Sequence, residues 1–229
     1  MKVINYITIS IIALFSVSCS PKNQKKAPEK TTTTEEVAEM VKLSAQDLEQ
    51  YETAYFASGC FWCVEAIFES VKGVKEVVSG YSGGTEENPT YEQVGYGKTS
   101  HAEAVKVYYD SKEISFTALV QVFFGSHDPT SLNRQGPDRG TQYRSIAFYQ
   151  TEKEKKIIEN YKKALEESKQ YEDPIVTEVI PLTTFWIAEE YHQDFEKRNP
   201  NQSYIRNVSV PRLNRFKKNF PDYLKENSH

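Results

Sequence analysis

The chain has 229 residues, 38% of them hydrophobic and 13% aromatic, with a net charge of −4 and three cysteines. That length suits one domain with appendages, and three cysteines are too few to staple a core-poor mini-protein. The slight acidic surplus argues against nucleic-acid binding, which needs basic groups against phosphate, and a mean hydropathy of −0.62 excludes a polytopic membrane protein.

In chain order, Lys2 precedes an uncharged run from Val3 to Ser18 and then Cys19. A positive start, a short apolar stretch and small residues before a break read as a secretory signal over 1–19, too short and too polar to span a bilayer. The small residue before Cys19 resembles the lipidation site of bacterial lipoproteins. That reading makes Cys19 a lipidated N-terminus and places the protein in a bacterial cell envelope, tethered to a membrane without crossing it. Residues 20–50 carry no Phe, Tyr or Trp and are dominated by Lys, Glu, Thr and Pro, a disordered linker by composition. A short helix over Val37–Leu48 is the one element expected there. Across residues 1–50 six Lys balance six Asp and Glu, so the surplus charge belongs to a domain over 51–229.

That domain reads as a strand over Tyr51–Ser58, a helix over Phe61–Lys72 stopped by Gly73, and a strand over Val74–Tyr81. A Gly-, Asn- and Pro-rich loop spans Ser82–Ser100. Ala102–Tyr109 alternates as a strand, Phe116–Phe124 is apolar enough for a buried helix, and Gly125–Gln142 is a second long loop of the kind that carries function. A strand at Ser145–Tyr149, a capped helix over Thr151–Lys169 and a strand at Ile175–Ile180 come next. The remainder reads as aromatic-rich irregular chain with a short helix around Ala188–Lys197. The order predicts an α/β (α+β) sheet with helices packed on it.

The chemistry concentrates at Gly59-Cys60-Phe61-Trp62-Cys63, where the first strand turns into the first helix. Helix-start N–H groups and the dipole favour a thiolate at Cys60, and Cys63, one turn on, is close enough to bridge to it. A zinc knuckle would need a second ligand pair, and none is present downstream; the four histidines show no metal-ligand spacing. A structural disulfide across so short a loop would gain little, and two inert buried thiols are the bland alternative. A thioredoxin-type exchange site is the serious rival, although Trp62 lies between the cysteines instead of before them.

The chain also resembles the A-type peptide methionine sulfoxide reductases. The resemblance begins at Gly59-Cys60-Phe61-Trp62 and continues through Gly80–Gly84, Asn88-Pro89-Thr90-Tyr91, His101–Val105, His127–Thr130, Asn133–Gly136, Asp138, Gly140–Ser145 and Ala188–Gln193, in family order. It implies reduction of the S-epimer of methionine sulfoxide in proteins, a repair of oxidative damage, on a two-layer sandwich with a ferredoxin-like core and long active-site loops. It implies Cys60 as nucleophile, Glu103 as the acid that protonates the sulfoxide oxygen, and Cys63 as the resolving thiol. Phe61 and Trp62 would form the methyl slot, Tyr91 and Tyr143 would orient the oxygen, and Asp138 would support them. Glu103, on a strand among apolar neighbours, should have a raised pKa. No bound cofactor or metal is expected. The disulfide would be recycled by an external dithiol such as a thioredoxin-like protein, because the chain has no cysteine after Cys63. His101 and His192 fall in family blocks but are expected to hold structure. A monomer is the default expectation. The alternative function is an extracytoplasmic thiol-disulfide oxidoreductase, which leaves Glu103 and the tyrosine-bearing loops without a task.

Overall fold

A computed structural model describes residues 43–226. The leader with Cys19 and the linker up to residue 42 lie outside the described residues. Of the helix expected over Val37–Leu48, the described part is one turn, α1 (Ala45–Leu48), closed by a capping box between Ser44 and Asp47.

Two split β-α-β units make the centre. β1 (Glu52–Ser58) runs into α2 (Phe61–Glu69) and β2 (Val74–Ser82), and β3 (Ala102–Tyr109) lies antiparallel between β1 and β2. β3 then leads through α4 (Phe116–Gly125) to β6 (Ser145–Tyr149), which pairs antiparallel with the other side of β1. The helix α3 (Tyr91–Gly95) and a two-residue ladder of β4 (Arg134–Gln135) with β5 (Asp138–Arg139) interrupt the two long loops. α5 (Glu152–Ser168), capped by Thr151, carries the chain to β7 (Glu178–Pro181), parallel to β6, and β8 (Phe185–Ile187) closes the far edge against β2. The sheet order is β7-β6-β1-β3-β2-β8, a ferredoxin-like core with one strand added at each edge.

Helices cover one face, where Phe56 of β1 stacks on Phe68 of α2 at 5.2 Å and on Phe123 of α4 at 4.9 Å. A smaller apolar cluster on the other face holds Tyr55, Ala57, Ala104, Ile146 and Phe148. β1 is therefore buried on both sides from Ala54 to Ser58, and its end is a rigid base for the turn into α2.

Three sequence readings shift. The strand expected over Ile175–Ile180 begins only at Glu178, because the Val176 N–H pairs with the Pro129 carbonyl of a loop instead of with β6. β8 lies in chain that reads as irregular. So do a π-helical stretch at Ile205–Ser209 and α7 (Val210–Asn219), which continues it with Pro211 next to the wider turn, while the helix expected around Ala188–Lys197 is a 3-10 turn at Glu190–His192 followed by α6 (Phe195–Arg198).

Candidate active site

Gly59 makes the corner between β1 and α2. Its φ of +92° is one that glycine adopts without strain, and a Cβ there would lie 2.6 Å from Gln135 Cβ. Cys60 is thereby set as N-cap of α2, with its own side chain making no cap bond. The first free helix N–H is met from another element: Phe61 N–H donates to Glu103 Oε2 at 3.0 Å. Glu103 reaches it from β3, where it sits across from Tyr81, and is only 2% exposed. Burial pushes its carboxyl up to about 8; the Phe61 N–H opposes the rise, and the negative neighbours Asp138 and Cys63 add to it. At neutral pH Glu103 thus carries a proton directly beside the helix start.

The two cysteines are free thiols, both buried. Their surroundings differ. Burial and the neighbouring sulfur of Cys63 push Cys60 well above the ordinary thiol range, against the pull of the Tyr204 hydroxyl. Cys63 is lowered to about 6 by the hydrogen bond from Cys60, against its burial, with help from the Arg212 charge and the hydroxyls of Ser209 and Tyr204. The two sulfurs are hydrogen-bond partners, with burial favouring the proton on Cys60. At the helix start the Phe61 N–H is taken by Glu103, and the Arg212 cation is set against Cys63.

Around Cys63, the Tyr204 hydroxyl is 3.7 Å from its sulfur and donates to Asp138 Oδ2 at 2.6 Å. Arg212, 6% exposed, donates to the carbonyls of Ser58 and Ser126 at 2.9 and 3.0 Å. Asp138, half-buried at the end of the β4–β5 ladder, is raised by burial, which Tyr204 and Arg212 oppose. Tyr91 is raised to about 12 by burial and by Glu103 and Cys60, and Tyr143 is raised further by the same three influences. Both phenols are therefore donors facing the same two groups.

The aromatic wall is set by the next two helix positions. Phe61 packs among Tyr81, Tyr91 and His192, with its ring centroid 5.0 Å from that of His192. Trp62 stacks on Phe195 at 3.7 Å, and its Nε1–H donates to His192 Nδ1 at 3.2 Å. That bond fixes the His192 proton on Nε2, and burial lowers the imidazole to about 4, so the ring stays neutral. Glu189 accepts from Tyr91 N–H at 2.9 Å and from the Tyr81 hydroxyl at 2.8 Å, tying α3 and β2 together beside the wall.

Every catalytic or substrate residue expected in the domain thus falls at one end of the sheet: Cys60, Phe61, Trp62 and Cys63 on α2, Glu103 on β3, Tyr91 on α3, Asp138 on β5 and Tyr143 just before β6. His101 stands apart, receiving Gly84 N–H at 3.1 Å and pairing with the Glu86 carbonyl at 2.7 Å, a loop-holding role. Tyr204, Phe195, Ser209 and Arg212 carry no signal in the sequence that singles them out. Among the described residues one acidic trio, Glu65, Glu69 and Asp194, is compact enough for a cation, but Lys197 already donates to Glu69 and Asp194.

Comparison with known proteins gives a consistent likeness. The family model for peptide methionine sulfoxide reductase matches residues 52–224. The chain is 50% identical over 175 residues to peptide methionine sulfoxide reductase MsrA 1 of Rhodopirellula baltica, covering 76% of this chain and 90% of that one. It is 48% identical over 173 residues to MsrA of Haloquadratum walsbyi, covering 76% and 98%. Among solved structures it resembles reduced Mxr1 of Saccharomyces cerevisiae, with TM-score 0.62, 34% identity, and coverage of 66% of this chain and 87% of that one. Methionine sulfoxide reductase A of Corynebacterium diphtheriae gives TM-score 0.59 at 35% identity, with 66% and 76% covered.

Proposed function

The chain belongs to the peptide methionine sulfoxide reductase family and is an oxidoreductase of its A type, and from that premise we propose how its residues reduce the S-epimer of methionine sulfoxide. The observation that carries the assignment is the protonated, buried Glu103 held against the start of α2 beside Cys60. A sulfoxide placed there meets a nucleophile at its sulfur and a proton donor at its oxygen.

The methyl group enters the wall of Phe61 and Trp62, whose position Phe195 and His192 fix. Tyr91 and Tyr143 donate to the oxygen. The Cys60 proton passes to Cys63, already its hydrogen-bond partner, and the Cys60 sulfur attacks the sulfoxide sulfur while Glu103 protonates the oxygen. The hydroxyl then passes from the substrate sulfur to Cys60 as the bond between the two sulfurs breaks, so methionine departs reduced and Cys60 keeps the oxygen as a sulfenic acid. The Cys63 sulfur, pulled toward the thiolate by Arg212, Ser209 and Tyr204, then attacks Cys60, releasing water and leaving a Cys60–Cys63 disulfide. An external dithiol, a thioredoxin-like protein by this chemistry, returns both thiols, since the domain has no further cysteine. The exchange-enzyme alternative is not favoured: it assigns nothing to Glu103, Tyr91 or Tyr143. Turnover of separated S and R sulfoxide peptides with a dithiol tests the proposal. Reduction of S alone is expected, and equal rates on both would overturn it.

The protein is further proposed to act as a monomer in the cell envelope, exported through residues 1–19 and tethered at Cys19 with 20–50 as a spacer. The support is Lys2, the uncharged run to Ser18 and the aromatic-free segment after it. Cys19→Ser should move the protein from the membrane to the soluble fraction, and an unchanged distribution would refute the tether.

A further inference from the structure

The dithiol that closes the cycle can attack either sulfur of the Cys60–Cys63 bond, and the two are not equivalent. Thiolate attack on a disulfide runs along the S–S axis: the attacker approaches from behind the sulfur it bonds, and the other sulfur leaves at the far end.

Behind Cys63 the space is filled. Its sulfur lies 3.7 Å from the Tyr204 hydroxyl and faces Arg212 and Ser209, whose hydroxyl donates to Glu196. Ile205 and Ser209 on the π-helical stretch are fully buried, and Cys63 itself is 1% exposed. Arg212 cannot swing aside without releasing its bonds to Ser58 and Ser126. Cys60 is 6% exposed against 1% for Cys63, and although it shares the Tyr204 hydroxyl, it is also set beside Tyr91 and Tyr143, both partly exposed. Its sulfur is also the one the substrate sulfur must already reach, on the proposed function, on which this inference rests.

We infer that the external dithiol attacks Cys60, so that the mixed disulfide joins the reductant to Cys60 and Cys63 leaves as the thiolate. The reductant sulfur forms a bond to Cys60 Sγ, the Cys60–Cys63 bond breaks, and its electron pair goes to Cys63. The Arg212 cation faces that charge. The second thiol of the reductant then attacks its own partner sulfur, displacing Cys60, which takes up the proton that thiol gives away. The dithiol has lost two electrons and two protons: the electrons and one proton return to the cysteine pair, and the other proton, shed when the first thiol ionises, restores Glu103, left ionised by the sulfoxide step. Leaving-group chemistry points the same way, since the sulfur with the lower pKa departs faster and Cys63 is the one lowered. A corollary is that substrate and reductant use one cleft in turn.

The test traps the intermediate. The full chain is oxidised with the S-sulfoxide peptide, mixed with a Cys-x-x-Cys dithiol protein whose second cysteine is Ser, quenched in acid at early times, and blocked with a maleimide. Fragmentation of the peptide holding both cysteines, between Phe61 and Trp62, locates each group. The expected result is reductant on Cys60 and maleimide on Cys63, in roughly tenfold excess over the reverse. Reductant on Cys63 at the earliest time, or an even split, overturns the inference. A starting chain without the Cys60–Cys63 disulfide would instead overturn the catalytic reading beneath it, a distinct outcome.

Discussion

Replacing Glu103 by Gln keeps the shape, keeps an acceptor for the Phe61 N–H, and removes the proton. Loss of a positioned general acid costs about 10²- to 10⁴-fold, so single-turnover reduction of the S-sulfoxide should slow by that factor at neutral pH. In the parent the same step should weaken as pH rises through about 8, where Glu103 ionises, and the variant should lack that limb. Stability gives a second readout with a definite sign. The folded-state pKa of Glu103 is raised from 4.5 to about 8, so the folded chain holds a proton that the unfolded chain releases above 4.5. The parent therefore loses stability as pH rises from 4.5 and stops losing it above about 8. Between pH 5 and pH 8 the loss from this group is roughly 3 to 4 kcal/mol. Gln does not titrate, but its buried NH₂ lacks a partner and costs roughly 1–3 kcal/mol at every pH. The variant should thus melt below the parent at pH 5 and draw level with it or pass it by pH 8. Denaturant melts at the two pH values measure this. Parallel melting across that range, or a variant rate within about threefold of the parent, would refute the assignment of a buried acid to Glu103.

Tyr204→Phe removes a hydroxyl that meets both Asp138 and Cys63, so the Cys63 thiol should titrate above 6 and the Cys60 sulfenic acid should persist longer, read by pH-dependent alkylation and by dimedone capture. Phe195→Ala unstacks Trp62 and should raise KM several-fold with a smaller effect on kcat, with roughly 0.5–1.5 kcal/mol lost from the aromatic pair beyond its buried area. Gly59→Ala forces a Cβ to 2.6 Å from Gln135 Cβ at φ +92°, and a stability loss of about 1–3 kcal/mol from the backbone alone should appear in a thermal melt.

The centre of this molecule is legible in its sequence, and the C-terminal cover over the cysteines is not. β1, α2 and β2 can be read because Gly59 and Gly73 punctuate them and because Val64, Ile67, Phe68 and Val71 recur at helical spacing; all four are buried. Glu103 is legible as a raised carboxyl because its strand neighbours are apolar. The C-terminal run offers no such pattern. α7 buries only Arg212 and Phe216, and its remaining Asn, Lys and Arg residues, with Pro211 in the first turn, give no apolar stripe to read. Arg212 itself is a cation buried by carbonyls 154 and 86 positions away, which no local pattern announces. Tyr204 is one of fifteen tyrosines and has meaning only beside Asp138 and Cys63. For the same reason helix-start logic sees only local N–H groups, whereas Cys63 also faces residues from the far end of the chain.

In the proposed cycle one sulfoxide oxygen passes to Cys60 and is cleared by Cys63 alone. The most direct test is to quantify methionine and map cysteine oxidation after mixing the S-sulfoxide peptide with enzyme in the absence of reductant. One methionine per chain is predicted, with a Cys60–Cys63 disulfide in the parent, a dimedone-reactive Cys60 in Cys63→Ser, and no methionine from Cys60→Ser. Methionine formed by the Cys60→Ser chain, or oxygen captured on Cys63 instead, would contradict it.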